Sequence, residues 1–243
     1  MKSQSRICKG CWIQMHVPVP IHGPLAIPFR LFGVKPSRMN PNLCTICETM
    51  FRRVKKSSQI QVPATVLFAD VRGYTTFSEL LDSPQIANLL SDFYEECAGA
   101  IWEQDGLINK LIGDAVLAIF NFPIEREDHI LAAVTAGIEL QRRCREMKLG
   151  LKDDSVNQMD VGVGVGIHTG EISIGDVGNA CRDFTAIGKV VNLASRLQSV
   201  AKTGEVLVTD EVYQHVQYKF PEAEGRPYQL KGIDRPVNGH VLL

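Results

Sequence analysis

Hydrophobic and polar positions mark out a regular series of elements from about residue 61 onward. Ala64–Val71 is a nearly continuous apolar run with Asp70 close to its end, and it reads as a buried strand. Thr75–Leu81 starts a helix. Ser83-Pro84 restarts one, with Ser83 as the cap and Pro84 in a first turn that needs no N–H from it. Ile86, Leu89, Leu90, Phe93, Tyr94, Cys97 and Ile101 then recur at helical spacing as far as Gln104. Gly106–Ile112 and Ala115–Asn121 are strands joined by Gly113-Asp114, a hairpin-turn pair. Asp128–Met147 is a third helix. Asp160–His168 alternates Val and Gly and predicts a central strand, which Gly170–Gly178 turns back on itself. Phe184–Ile187 is a short strand and Lys189–Ala201 a helix, with late strands at Val206–Thr209, Tyr228–Leu230 and His240–Leu243. The order β-α-α-β-β-α-β, followed by further elements, predicts an α+β fold with helices on one face of a mostly antiparallel sheet.

Before residue 61 this patterning disappears. Residues 1–60 hold six of the twelve prolines, four of the seven cysteines, ten basic residues and a single acid, Glu48. Their charge is +9, and the remainder carries −10, so the overall −1 conceals two opposite parts. The shift predicts a boundary in the polar stretch Lys55–Gln61, giving a segment 1–60 and a domain 61–243. With 45% hydrophobic residues the chain is not disordered over most of its length, and no apolar run is long enough for a spanning helix. Ile7–Val19 is broken by Cys8, Lys9, Gln14 and His16 and is no secretory signal. An odd cysteine count without export predicts a reducing, cytoplasmic setting.

Cys8-Lys9-Gly10-Cys11 and Cys44-Thr45-Ile46-Cys47 are two CxxC knuckles. Two such turns can complete a four-sulfur shell around one tetrahedral metal. The stretch between them is rich in Pro and Gly and cannot build long helices, so its small core needs a staple. A structural Zn²⁺ on Cys8, Cys11, Cys44 and Cys47 is the leading reading. An iron–sulfur cluster, a redox dithiol or ordinary core cysteines are alternatives, with His16 and His22 as weak substitute ligands. The basic charge would suit nucleic acid or an anionic membrane, but aromatics are sparse and no basic recognition helix is evident. A solvated surface, or a face docked on the acidic domain, is the simpler expectation.

In the acidic domain, Asp70 closes a buried strand and Asp114 sits in a tight turn between two others. Carboxylates at adjacent strand ends are what a two-metal phosphoryl-transfer site requires, although an Asp after Gly is usually only a turn residue. Gly73 lets the backbone approach a ligand, and amides at the following helix start favour phosphate. Asn192 and Arg196 are four apart on a predicted helix and share a face, an amide and a guanidinium suited to ribose and phosphate.

The segments VLFADVRGYTTFSELL, GLINKLIGDAVLAIF, VGIHTGEISIGDVG and DFTAIGKVVNLASRL occur in order and resemble the catalytic domain of class III nucleotidyl cyclases. The resemblance covers roughly residues 61–243. It implies a ferredoxin-like βααββαβ cyclase domain in which Asp70, Asp114 and the carbonyl of Val71 hold two Mg²⁺ or Mn²⁺. It also implies that amides of Gly73, Tyr74 and Thr75 hold a triphosphate. Lys110 and Thr185 match the purine-reading positions, and Lys there implies ATP, because its ammonium donates to adenine N1 whereas guanine N1 carries a proton. Thr resembles the bacterial and bicarbonate-responsive subgroup. Asn192 matches the ribose-orienting residue, Arg196 the one stabilising the transition state, and Lys231, in a more divergent context, a phosphate-binding lysine. Lys189 departs from the pattern, since relatives often have Asp after the Gly. The family site lies between two chains, and this chain carries both halves, so a homodimer is implied.

Three other readings compete with an adenylate cyclase. A guanylate cyclase is opposed by Lys110. A silent nucleotide-sensing or dimerisation module is opposed by the retention of the metal, Asn and Arg positions. A zinc-dependent nucleic-acid binder would make residues 1–60 primary.

Overall fold

The computed structural model describes residues 5–54, 59–146, 162–178 and 183–243. Lys55–Ser58 of the predicted boundary, Met147 and Asp160-Val161 lie outside the described residues.

The described part of the basic segment holds three short α-helices, α1 (Lys9–Met15), α2 (Ile27–Leu31) and α3 (Thr45–Val54), with a 3-10 turn at Pro24–Ala26 ahead of α2. The order from there is β1 (Ile60–Arg72), α4 (Tyr74–Leu80), α5 (Ser83–Glu103), β2 (Leu107–Ile112), β3 (Ala115–Phe120) and α6 (His129–Glu146). β4 (Gly162–Val177), β5 (Asp183–Ile187), α7 (Lys189–Val200), β6 (Val206–Thr209), α8 (Asp210–Val216), β7 (Glu224–Tyr228) and β8 (Val237–Val241) follow. One sheet runs in the order β2-β3-β1-β4-β6-β8-β7, with β5 paired to β4. Every pairing is antiparallel except β4 with β6.

β1 and β4 form the spine, paired from Ile60 opposite Ile174 to Arg72 opposite Gly162. The period-2 alternation of β1 divides the core. Leu67, Ala69 and Val71 face α5 and α6, where Phe93, Cys97, Ile101, Val134 and Leu140 are buried. Ala64, Val66 and Phe68 face the other way, toward Val190, Val191 and Ala194 of α7 and toward Val19, Ile21, Leu43 and the cysteines of the basic segment. Helices therefore cover both faces rather than one. The second face was hidden because α7 and the N-terminal segment are distant in sequence from the strands they cover.

Three local expectations are corrected. Asp82, not Ser83, caps α5: its carboxylate accepts from Gln85 N and the Gln85 side chain accepts from Asp82 N, a reciprocal capping box. β4 does not turn back at Gly170; it runs on, so that its second half pairs with β5. Its glycines serve close approach. A Cβ at Gly166 would run into the backbone of α7 at Ala194 and Gln198, so only glycine lets that helix lie on the sheet. The late strands fall at Glu224–Tyr228 and Val237–Val241, and α8 was not anticipated although Val212 and Val216 are buried one turn apart.

The basic segment is seated on the sheet. Its buried residues belong to the same apolar cluster as β1, β3, β5 and α7. Asn40, fully buried, donates to Gly106 O at 2.8 Å, Asn42 donates to Asp105 at 2.9 Å, and Ile108 N donates to Met39 O at 3.0 Å. Met39 O also accepts from Trp102 Nε1 at 2.8 Å. The backbone at Met39 thus covers the outer edge of β2, which is an edge strand of the sheet. Lys9 and Asp105 form an ion pair of 2.7 Å across this contact.

Candidate active site

Asp70 and Asp114 come together because β1 and β3 are in register. Asp70 lies opposite Ala115, and Val71 N donates to Asp114 O at 3.2 Å. Burial and the neighbouring Asp114 carboxylate push Asp70 up to about 6, with Arg72 opposing them. A half-buried carboxylate whose proton affinity is raised by a second carboxylate beside it is a favourable seat for a divalent cation, which would take the place of that proton. The donor set thus fits Mg²⁺ or Mn²⁺. The turn that presents Asp114 is braced by Tyr94 of α5, whose hydroxyl donates to Gly113 O. Gly113 has φ +61°, so the turn needs its glycine. Arg72, on the same face as Asp70, reaches the Gln198 carbonyl of α7 and ties the metal corner to that helix. Sequence reasoning missed both Tyr94 and Arg72; each reads locally as an ordinary helix or strand-end residue.

Gly73 has φ +79° and is exposed, directly ahead of α4, so its amide and those of Tyr74 and Thr75 start the helix beside Asp70. Val71 itself is buried.

Lys110 and Thr185, the expected purine-reading positions, belong to a second cluster where β2 meets β5. Lys110 lies opposite Leu117, which faces the α7 side, and its ammonium pairs with Asp183 of β5. Thr185 is buried, with its hydroxyl 3.5 Å from Asn109 Oδ1 and 3.3 Å from Ala186 O. Asn109 joins the two strands: it donates to Phe184 O at 3.3 Å and accepts from Ala186 N at 3.2 Å. It sits at the register shift between Ile108 and Lys110, where a bulge redirects the chain. Sequence reasoning missed Asn109 and Asp183. An amide beside Lys110 within an apolar strand was the available signal for Asn109.

Asn192 and Arg196 lie on the exposed side of α7, one turn apart as predicted, while Val190, Val191, Ala194 and Leu197 anchor its other side. Lys231 is exposed in the turn between β7 and β8, after the buried Leu230.

The cysteines of the two knuckles converge. The four sulfurs lie within 4.8 Å of one another and all four residues are buried. Burial pushes the Cys11 thiol up to about 12, so a cluster of thiolates here requires a cation. His22 is committed elsewhere, with Nε2 3.1 Å from Pro41 O. His16 caps α1 in a left-handed conformation and is not part of the cluster.

Residues 56–243 match the family model described as the adenylate and guanylate cyclase catalytic domain. An adenylate cyclase of Anabaena cylindrica is 33% identical over 178 residues, covering 71% of this chain and 33% of that protein. The chain thus spans about a third of that relative's length. Among solved structures, the adenylyl cyclase CyaB from P. aeruginosa is similar with a TM-score of 0.67 and 29% identity, over 76% of this chain and 96% of that one. The guanylyl cyclase Cya2 is similar to the same degree, with a TM-score of 0.68 and 27% identity, over 76% and 93%. With residues 56–243 matched by its model, the chain belongs to the adenylate and guanylate cyclase catalytic domain family.

Proposed function

We propose that this chain converts ATP to 3′,5′-cyclic AMP and pyrophosphate at a site shared by two copies. The observation that carries the reading is the convergence of Asp70 and Asp114 at the paired ends of β1 and β3, on the sheet face that also holds Lys110. Members of this family use divalent metals, generally Mg²⁺ or Mn²⁺, and Asp70, Asp114 and the Val71 carbonyl would hold two of them. Such cations supply neutralisation of the triphosphate and a lowered pKa at the ribose 3′-hydroxyl.

The chain's own residues do the rest. The 3′-oxygen attacks the α-phosphorus, the bond to the pyrophosphate oxygen breaks, and the hydroxyl proton leaves to water or substrate. Amides of Gly73, Tyr74 and Thr75 hold the triphosphate, Asn192 orients the ribose, and Arg196 with Lys231 neutralises charge as it develops. Lys110 donates to adenine N1 and Thr185 accepts from the adenine amino group, after Lys110 leaves Asp183. The likeness to both an adenylyl and a guanylyl cyclase leaves the choice of purine to these two residues.

A homodimer is supported by apolar residues left exposed around the site. Leu111 and Ile112, between Lys110 and Asp114, are 51% and 49% exposed, and Val177 and Ile187 flank the β4–β5 end. A second copy would cover them and supply the complementary half-site. Residues 1–60 are the regulatory, metal-binding part of this arrangement. The described cysteines are free, and no described helix is long and apolar enough to cross a membrane.

The direct test is product formation by purified protein with ATP and GTP in parallel, in Mg²⁺ and in Mn²⁺. Cyclic AMP as the dominant product supports the assignment. A preference for GTP overturns the purine reading, and no product from either overturns the activity.

A further inference from the structure

The two CxxC knuckles are held more tightly than packing of ordinary cysteines requires. Cys8 Sγ lies 3.6 Å from Cys47 Sγ, and Cys11 Sγ lies 3.5 Å from Cys44 Sγ and 3.3 Å from Cys47 Sγ. Zinc–sulfur bonds of about 2.3 Å in a tetrahedron place sulfurs about 3.8 Å apart. The spacing here is that of one mononuclear ion, with slight expansion. A four-iron cluster needs its cysteine sulfurs spread around the corners of a cube, and a two-iron cluster needs two separated pairs. Cys11, close to both Cys44 and Cys47, leaves no gap for bridging sulfides.

The backbone is arranged for thiolates. Cys11 N and Cys44 N donate to Cys8 Sγ at 3.4 Å and 3.2 Å, and Cys47 N donates to Cys44 Sγ at 3.5 Å. Amide donors of this kind stabilise sulfur that carries charge. Gly10, inside the first knuckle, is where the second closes in: a Cβ there would lie 2.9 Å from Leu43 Cδ2 and 3.0 Å from Cys47 Sγ.

What the knuckles hold is the edge of the purine-reading cluster. The strap Met39–Leu43 leads directly into Cys44. Met39 O binds Ile108 N, two residues before Lys110, and Asn40 binds Gly106 O. Met39 and Leu43 border the same small space as Leu107 of β2 and Phe184 of β5, the residue before Thr185. Asn109 then links β2 to β5.

We propose that Cys8, Cys11, Cys44 and Cys47 bind a single Zn²⁺, and that this ion is the clasp that seats the Met39–Leu43 strap against β2 and β5, so that zinc occupancy sets the geometry of Lys110 and Thr185. The clasp rests on the purine-reading assignment of those two residues; the metal site does not.

The test uses the full chain, purified without chelator. Metal analysis should find one equivalent of zinc and no acid-labile sulfide. That equivalent should persist in Asp70→Asn with Asp114→Asn and be lost in Cys44→Ser, which separates it from metal at the carboxylates. Replacement by Co²⁺ should give the ligand-field spectrum of a tetrahedral tetrathiolate. Iron with sulfide, no metal, or zinc that follows the aspartates instead overturns the site.

Trp102 reports on the clasp without any assay of activity, because its indole N–H is bonded to Met39 O. In Trp12→Phe, where Trp102 is the remaining tryptophan, stripping the zinc should shift its emission, and returning Zn²⁺ should restore it. An unchanged spectrum on reversible zinc removal overturns the coupling. If that result comes with intact cyclic AMP production, the cyclase reading survives and the clasp alone fails.

Discussion

Asn109→Ala tests whether positioning of the purine pocket has been read correctly. The change removes a donor to Phe184 O and an acceptor for Ala186 N and the Thr185 hydroxyl, at 3.3, 3.2 and 3.5 Å. Alanine leaves the metal corner untouched and fits the strand. Net hydrogen bonds are worth about 0.5 to 1.5 kcal/mol each, and a buried amide left without its acceptor costs about 1 to 3 kcal/mol. The three contacts together make about 2 to 4 kcal/mol, shared between folding and pocket geometry. If half of it falls on the pocket, kcat/KM for ATP drops on the order of 10-fold, at about 1.4 kcal/mol per decade. The loss should appear in KM, with discrimination of ATP over GTP falling in parallel. The Mn²⁺ concentration for half-maximal activity should stay put, because Asn109 does not touch Asp70 or Asp114. Asn109→Asp keeps the acceptor but loses the donor and should recover part of the effect. The assay is steady-state cyclic-nucleotide production with both purines, alongside a thermal melt. A folded Asn109→Ala protein with unaltered kcat/KM and unaltered selectivity would refute the positioning role.

Other expectations follow from the same geometry. Asp114→Asn should lower kcat by on the order of 10²-fold or more, since it removes half of a cation seat; near-normal turnover in saturating Mn²⁺ would contradict the metal assignment. Arg196→Ala should lower kcat by on the order of 10²-fold, whereas a pure rise in KM would make Arg196 a ground-state binder. Asp70, held at about 6 against an ordinary 3.8, favours the metal-free fold while protonated. That stability is present below about pH 4 and is lost as pH rises through about 6, so the gain in Tm from Mn²⁺ should be larger at about pH 7.5 than at about pH 5; a pH-independent gain would argue against the raised carboxyl. Gly166→Ala drives a methyl into the α7 backbone and should cost about 1 to 3 kcal/mol in urea unfolding, against no change if the helix could simply move away.

Legibility in the sequence followed the range of the forces involved. β1, α5, the β2–β3 hairpin and α7 were visible because their signals are local: β1 is a continuous buried run, the hairpin has its Gly-Asp turn, and Leu89, Phe93, Cys97 and Ile101 line one side of α5. The cap of α5 was misassigned by one residue because Asp and Ser both cap well and only the reciprocal bond to Gln85 decides. The long β4 was misread because glycine serves both turns and close packing, and α7, which makes Gly166 necessary, begins more than twenty residues later. Motif residues were legible singly, but their supports were not. Tyr94, Asn109 and Asp183 gain meaning only when strands and helices distant in sequence come together. The opposite charges of the two parts also misdirect. Among the described ion pairs, Lys9–Asp105 is the one that crosses between them, and the seating otherwise includes apolar surface, amide bonds from Asn40 and Asn42, and the bonds that Met39 O accepts from Ile108 and Trp102. High salt should therefore leave the segment in place.

The shared site is tested most directly by mixing two inactive variants. Asp114→Asn removes a proposed metal ligand and Arg196→Ala the proposed transition-state cation, and each alone should give a folded protein with almost no cyclic AMP production from ATP. Equal amounts co-assembled from unfolded or co-expressed chains should produce half heterodimers, each with one intact site of two. Activity should then return to about a quarter of the unmodified protein's rate. Recovery near that level is the result the account predicts; a mixture as inactive as its components, with heterodimers demonstrated, would contradict it.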